Sequence, residues 1–387
     1  MSRPPEAPPH LQALLGQRAT AIDTPALVVD LDAMQRNLQQ MADFAQRHGM
    51  RWRPHAKMHK SAQIAQMQMA AGAVGVCVQK TAEAETLAAA GVRDIYISNE
   101  VIAPHKLARV VALARRLQAA GGRLGVAVDS QVGIAALAQA LAQDAAPLHL
   151  IDVYVEIDVG HGRCGAAPAD AVGLVQALGA YPGMRFAGLQ AYHGRAQHLR
   201  SADERREAIA AAMRCVQTAR DAIHARGMYV PLITGAGTGT MVHEAASGLW
   251  GELQVGSFLF MDADYLRNEA DAGQPAFEPA LFVKSQVTGR YAAHSVCDAG
   301  HKSHAIDSGM PLVHQQALEY LSGGDEHGLL RPLPGGALPD IGDVAWLVPG
   351  HCDPTVNLHD WMIGVRGGLA EGVVDTLLRV DARGALT

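Results

Sequence analysis

A (β/α)8 barrel of the TIM type, joined to a C-terminal, mainly antiparallel β domain, is the fold this sequence predicts. Two observations carry it. From about residue 25 to 262, short strand-like runs alternate with Ala/Leu-rich runs of helical periodicity. Repeated strand–helix units mean a parallel sheet covered by helices. After about residue 280 the helical periodicity fades, and short apolar runs are separated by Gly, Pro and Asp. That is the pattern of antiparallel strands joined by turns.

The strand candidates, in order, are 25–31, 51–57, 75–79, 94–100, 124–130, 153–159, 185–193, 232–237 and 253–260. Helical runs at 81–90, 106–119, 133–142, 169–178 and 203–226 lie between them. A closed barrel needs eight strand–helix units, so one of the nine candidates lies outside it or is not a strand. An open doubly wound sheet is the alternative. In the last part, LFVKSQVTGRY, HSVCDAG, VAWLVPG and TLLRVDAR read as strands. The expected division is a flexible tail over 1–20, a barrel over 21–275 and a β domain over 276–387.

Of the 387 residues 49% are hydrophobic, which excludes disorder over most of the chain. Acidic residues outnumber basic ones by 38 to 32, with no long Lys/Arg run to neutralise phosphates, so no nucleic-acid partner is expected. No apolar stretch approaches the ~20 residues of a membrane span. The start, MSRPPEAPPH, has no apolar core of a secretory signal. Five widely spaced cysteines with no CxxC pair argue against a disulfide scaffold. A cytoplasmic protein is the expectation.

Six segments are suited to chemistry. In RWRPHAK, alternation puts Arg53, His55 and Lys57 on one face, the barrel interior. Lys57 ends that strand at the mouth where barrel active sites form. Crowded by His55, His59 and Lys60, it is expected to have a depressed pKa and to act as an amine nucleophile. The turn Thr234–Thr240, TGAGTGT, can converge backbone N–H groups on an anion. Gly256-Ser257 is a second such turn, and phosphate sites in barrels often follow strands seven and eight. In EIDVGHGRCG, Glu156 and Asp158 share a strand face, and Arg163 is placed to pair with a phenolate or carboxylate. In GLQAYHGR, Tyr192 and His193 end a strand, with His193 a candidate general base. In PGHCDPT, His351 and Asp353 at i, i+2 project to one side of an extended segment, with Cys352 opposite. They form a half-site for a divalent metal that water or substrate completes.

Together TPALVVDLD (24–32), RPHAKMHKS (53–61), GVCVQKTAEAE (75–85), the Gly/Thr turn 235–240, DAGHKSHAIDSGMP (298–311) and PGHCDPTVNL (349–358) resemble the D-threonine aldolase and D-serine dehydratase family. The resemblance runs from about residue 24 to 368. It implies an alanine-racemase-like barrel that uses pyridoxal 5'-phosphate, a homodimer, and strand 25–31 belonging to the second domain. It implies Lys57 as the Schiff-base lysine. Gly237, Thr238, Gly239, Gly256 and Ser257, with Thr234 beside them, are implied as the phosphate cradle. Arg163 falls near the cofactor's 3'-oxygen, Tyr192 against the ring, and His351 and Asp353 at the metal. The dehydratase branch has HxC there. Asp353 is a harder ligand and favours Mn2+ or Mg2+ over Zn2+ or Co2+. The expected reaction is therefore metal-dependent retro-aldol cleavage of D-threonine and related D-3-hydroxy amino acids, with His193 or His59 as base. The alternative is a D-serine or D-threo-3-hydroxyaspartate dehydratase. A non-catalytic cofactor carrier and an unrelated metal-dependent hydrolase are less compatible with these motifs.

Overall fold

The computed structural model describes residues 6–144 and 146–387. Its first strand, β1 (Ala26–Asp30), stands apart from the eight that follow. These are β2 (Arg51–Trp52), β3 (Val76–Val78), β4 (Asp94–Glu100), β5 (Arg123–Val128), β6 (Ile151–Glu156), β7 (Met184–Ala191), β8 (Ile233–Gly235) and β9 (Glu252–Leu253). All pair in parallel, in the order β2-β9-β8-β7-β6-β5-β4-β3. A parallel bridge between His55 and Cys77, with Cys77 N–H donating to Pro54 O at 2.9 Å, closes the ring. The barrel is thus complete, and the open-sheet alternative is excluded.

Alternation along the strands builds two cores. Val76, Val78, Ile95, Ile97, Val126, Val153 and Val155 face outward and pack against helices through Leu107, Val110, Val111 and Leu137. The intervening Cys77, Tyr96, Ala127 and Tyr154 face inward as a small cluster. The remaining interior is polar, a departure from the branched apolar filling usual in such barrels. The helices start where the sequence marks them. Pro104 opens Pro104–Ala119, Ser130 accepts the Gly133 N–H ahead of Gln131–Gln143, and Ser201 with Glu204 forms a capping box for Ala202–His224.

The second sheet is built from β10 (Leu281–Arg290), β11 (Ser295–Cys297), β12 (Leu312–Val313), β13 (Leu318–Ser322), β14 (Gly328–Pro332), β15 (Val344–Val348), β16 (Trp361–Arg366) and β17 (Val373–Arg379). It runs β13-β14-β11-β10-β1-β16-β17, with β15 paired to β10 and β12. The ninth strand candidate is therefore β1, antiparallel to β10 and parallel to β16. Every other pairing is antiparallel.

Residues 9–20 are not a free tail. Pro9–Gln12 is a short helix, Gly16 and Ala19 donate to Val374 and Gly372 carbonyls, and Ala19 is fully buried against the second sheet. The prolines occupy only the first nine positions, while Leu11 and Leu14 supply apolar contacts just behind them. Residues 1–5 of the expected tail lie outside the described residues. Among the described residues no helix is long and apolar enough to cross a membrane.

Candidate active site

A cavity of about 260 Å³ opens at the C-terminal ends of the barrel strands. The barrel supplies most of its wall, and His351 and Asp353 reach it from the second domain. The chain stays extended to His55, whose N–H donates to Val255 O, then turns through a 3-10 helix at Ala56–Met58. Lys57 is carried on that turn rather than on a strand. Its Nζ lies 3.4 Å from Asp353 Oδ2.

The pKa of Lys57 is raised, not depressed as its basic neighbours suggested. Burial alone would push the ammonium down, but the Asp353 carboxylate, with Tyr192 beside it, outweighs burial. The neighbours are also less cationic than the sequence implied. Burial pushes His55 well below the usual imidazole range and His59 down to about 4. Lys60 turns away to Glu83 Oε1 (3.2 Å) and Asn357 Oδ1 (2.9 Å).

His59 is excluded as the base. It is fully buried, its Nε2–H faces Gln68 Oε1 at 3.2 Å, and its Nδ1 accepts the Ser61 N–H at 3.0 Å. His193 is also off the cavity wall. Its Nδ1 accepts the Ala196 N–H at 3.3 Å, and its Nε2 abuts Gly160. The wall instead carries His198, whose Nδ1 lies 2.5 Å from Asp264 Oδ2. Burial raises the Asp264 carboxyl, but bonds from His198 and Arg200 bring it down to about 2. An ionised carboxylate thus fixes Nδ1–H and leaves Nε2 open, the base-and-orienter geometry of acid–base sites. Sequence reasoning missed this pair because its members are far apart in the chain and Asp264 follows the last barrel strand.

Four of the six expected cradle residues, Gly237, Thr238, Gly256 and Ser257, line the cavity. Their backbone N–H groups have no acceptor among the described residues. Thr238 Oγ1 accepts the Phe258 N–H at 2.9 Å and ties the two turns together. Such a ring of unengaged donors fits a phosphate. Gly239 and Thr234 do not take part. The Gly239 N–H is committed to Gln197 Oε1 at 3.0 Å, and Thr234 lies one layer below the cavity floor, bonded to Glu252 and Gln254. Arg163 and Tyr192 line the cavity as expected, and Arg163 has no ion-pair partner among the described residues.

His351 and Asp353 meet, though not on an extended segment. His351 is the N-cap of the short helix Cys352–Val356, and Asp353 is its second residue. His351 Nε2 and Asp353 Oδ1 lie 3.9 Å apart. His351 Nδ1 is held 2.7 Å from Asp307 Oδ2, which leaves Nε2 as the donor toward a cation. Cys352 points away, buried, with its Sγ 3.2 Å from Met261 O. Among the described residues no three His, Cys, Asp or Glu side chains form a metal cluster. The pair fits a two-donor site that other ligands complete. Of the acidic residues noted earlier, Glu156 is buried below the mouth, and Asp158 Oδ1 accepts the Gly160 and Gly162 N–H groups of its own turn.

A closed parallel barrel, a second β domain that reaches its mouth, and a lysine beside two turns with unengaged N–H groups define an alanine-racemase-like enzyme. Residues 29–264 match the alanine racemase N-terminal domain family, and residues 280–365 match the serine dehydratase domain family. The chain is 44% identical over 384 residues to the D-threonine aldolase of Arthrobacter sp, which covers 98% of this chain and 96% of the relative. It is 41% identical over 382 residues to the 3-hydroxy-D-aspartate aldolase of Paracoccus denitrificans (strain Pd 1222), which covers 97% and 95%. The solved D-threonine aldolase from Filomicrobium marinum superposes with a TM-score of 0.91 at 46% identity, which covers 96% of this chain and 99% of that one. The chain belongs to the D-threonine aldolase and D-serine dehydratase family, and it is a lyase.

Proposed function

We propose that the protein cleaves D-threonine and related D-3-hydroxy amino acids to glycine and an aldehyde, using pyridoxal 5'-phosphate and a divalent cation, Mn2+ or Mg2+. The names of the aldolase relatives support the reaction. The observation that carries it is Asp353, paired with His351 and set 3.4 Å from Lys57 in one cavity.

Lys57 would hold the cofactor through its amine, and the Gly237–Thr238 and Gly256–Ser257 N–H groups would grip its phosphate. His351 and Asp353 would hold the cation. When bound, the ring supplies a sink for the electron pair left at Cα, and the cation lowers the pKa of the substrate 3-hydroxyl. His198, oriented by Asp264, takes the hydroxyl proton on Nε2 as the Cα–Cβ bond breaks. Arg163 and Arg195, which line the cavity without ion-pair partners among the described residues, receive anionic oxygens of the cofactor and the substrate carboxylate. The second-domain residues close over the mouth and keep water from the reacting carbon.

The test is incubation with D-threonine, L-threonine and D-serine, with products identified before and after chelation. Acetaldehyde and glycine from D-threonine alone, lost on chelation and restored by Mn2+, is the expected result. Ammonia and a keto acid from D-serine would assign the dehydratase reaction instead.

A further inference from the structure

The polar interior of the barrel is a continuous hydrogen-bonded column, and its polarity is fixed from one end. At the face opposite the active site, Arg53 is buried, with its Nε 3.2 Å from Glu252 Oε1, and an Arg51 nitrogen lies 2.9 Å from Glu252 Oε2. As a carboxylate between two guanidiniums, Glu252 can only accept. The Thr234 hydroxyl therefore donates to Glu252 Oε1 at 3.0 Å, which leaves its oxygen free to accept. Gln254 Nε2 donates to that oxygen at 2.8 Å and to Gln190 Oε1, also at 2.8 Å. Gln190 Oε1 accepts a further bond from Tyr96 OH at 2.8 Å, so its side chain is pinned in the same sense.

Both amide hydrogens of Gln254 are thereby used. Its carbonyl oxygen has no donor among the described residues, and Gln254 lines the active-site cavity. Turning the amide over would set its oxygen against Gln190 Oε1 and against a threonine lone pair. Arg53, on the same face of RWRPHAK as Lys57, is not used by the reaction, and this column is where it acts.

We propose that Glu252, anchored by Arg53, is a positioning residue that acts through Thr234 to present the Gln254 carbonyl oxygen to the cavity, so that the site selects a cofactor ring bearing an N–H at that wall. The inference rests on the cofactor reading given above. A ring nitrogen that carries a proton satisfies the oxygen, whereas a C–H at the same ring position leaves it unpaired in a dry floor.

The test compares equilibrium binding, to apoprotein, of pyridoxal phosphate and of its 1-deaza analogue, in which C–H replaces the ring nitrogen. The wild type is expected to prefer the nitrogen ring by about tenfold, the scale of one buried hydrogen bond. Thr234→Val should reduce that preference to about threefold or less, and Thr234→Ser should restore it. Glu252→Met, which removes both acceptor oxygens and keeps the length, should act like Thr234→Val, and either variant suffices if the other does not fold. An unchanged preference in a folded variant that lacks the relay overturns the positioning role while the cofactor reading stands. No saturable uptake of pyridoxal phosphate by the wild type overturns both.

Discussion

The ammonium of Lys57 and the carboxylate of Asp353 meet at 3.4 Å, one from the barrel and one from the domain that caps it. The contact makes Asp353 a partner for two different cations, the lysine and the metal of the proposed half-site. It also holds Lys57 in its charged form, since a nearby negative charge raises an ammonium pKa.

Asp353→Asn is expected to lower the pH at which the Lys57 amine becomes nucleophilic. The sign follows from the raised pKa, because removing the carboxylate removes what stabilises the charged form. Trapping pyridoxal phosphate with borohydride across a pH series measures the midpoint. A midpoint that stays or rises contradicts the pairing. The same variant should lose its response to added Mn2+.

His198→Gln should reduce kcat by about 10²–10⁴-fold, the range for loss of a general base. His193→Gln should change it by only about threefold or less, since that ring stands off the cavity wall. Steady-state rates with D-threonine decide between them. The reverse ranking would return His193 to the mechanism and remove His198.

Gly237→Ala should weaken cofactor binding by about tenfold or more and destabilise the fold by about 1–3 kcal/mol. A Cβ there would collide with the Gln197 side chain, which is itself bonded to Thr240 Oγ1 and to the Gly239 N–H. Equilibrium dialysis of the cofactor and urea unfolding give the two numbers. Full retention of cofactor affinity would show that the cradle lies elsewhere.

The His59 contribution to stability should fall as pH drops from about 6.5 to about 4. Burial, opposed only in part by the Gln68 amide oxygen, lowers His59 to about 4, below its ordinary value. Above pH 6.5 the ring is neutral in both states and contributes nothing. Below that the unfolded chain takes up a proton that the native state refuses. The loss reaches about 3 kcal/mol for a shift of this size. Across this range the urea midpoint of the native protein should fall relative to that of His59→Asn, while His55 adds a slope of the same sign to both proteins.

Most of the barrel was legible because each strand carries an alternating or continuous apolar run bounded by Gly, Pro or Asp. Strands β12 to β14 were not, for two reasons. They are short, and their apolar residues sit between polar ones without a clear period, as in LEYLS and GLLRP. At the site, Lys57 and the two Gly turns were readable from their places at strand ends. The Lys57 pKa was not, because local sequence shows only the basic neighbours, while the deciding carboxylate comes from a remote segment. Thr234 was misjudged by one layer of depth: it looked like part of a Gly/Thr turn, but it ends a strand and points into the barrel.

The strand β1 lies between β10 and β16, and residues 16–19 are bonded to the β17 hairpin beyond them. A part of the chain made early must therefore wait for one made much later. Until residues beyond 361 have been synthesised, β1 exposes one unpaired edge, and the capping sheet cannot close. A nascent chain can complete its barrel well before then, but it has no competent mouth. Closure of the capping sheet is thus coupled to segments that lie far apart in the chain.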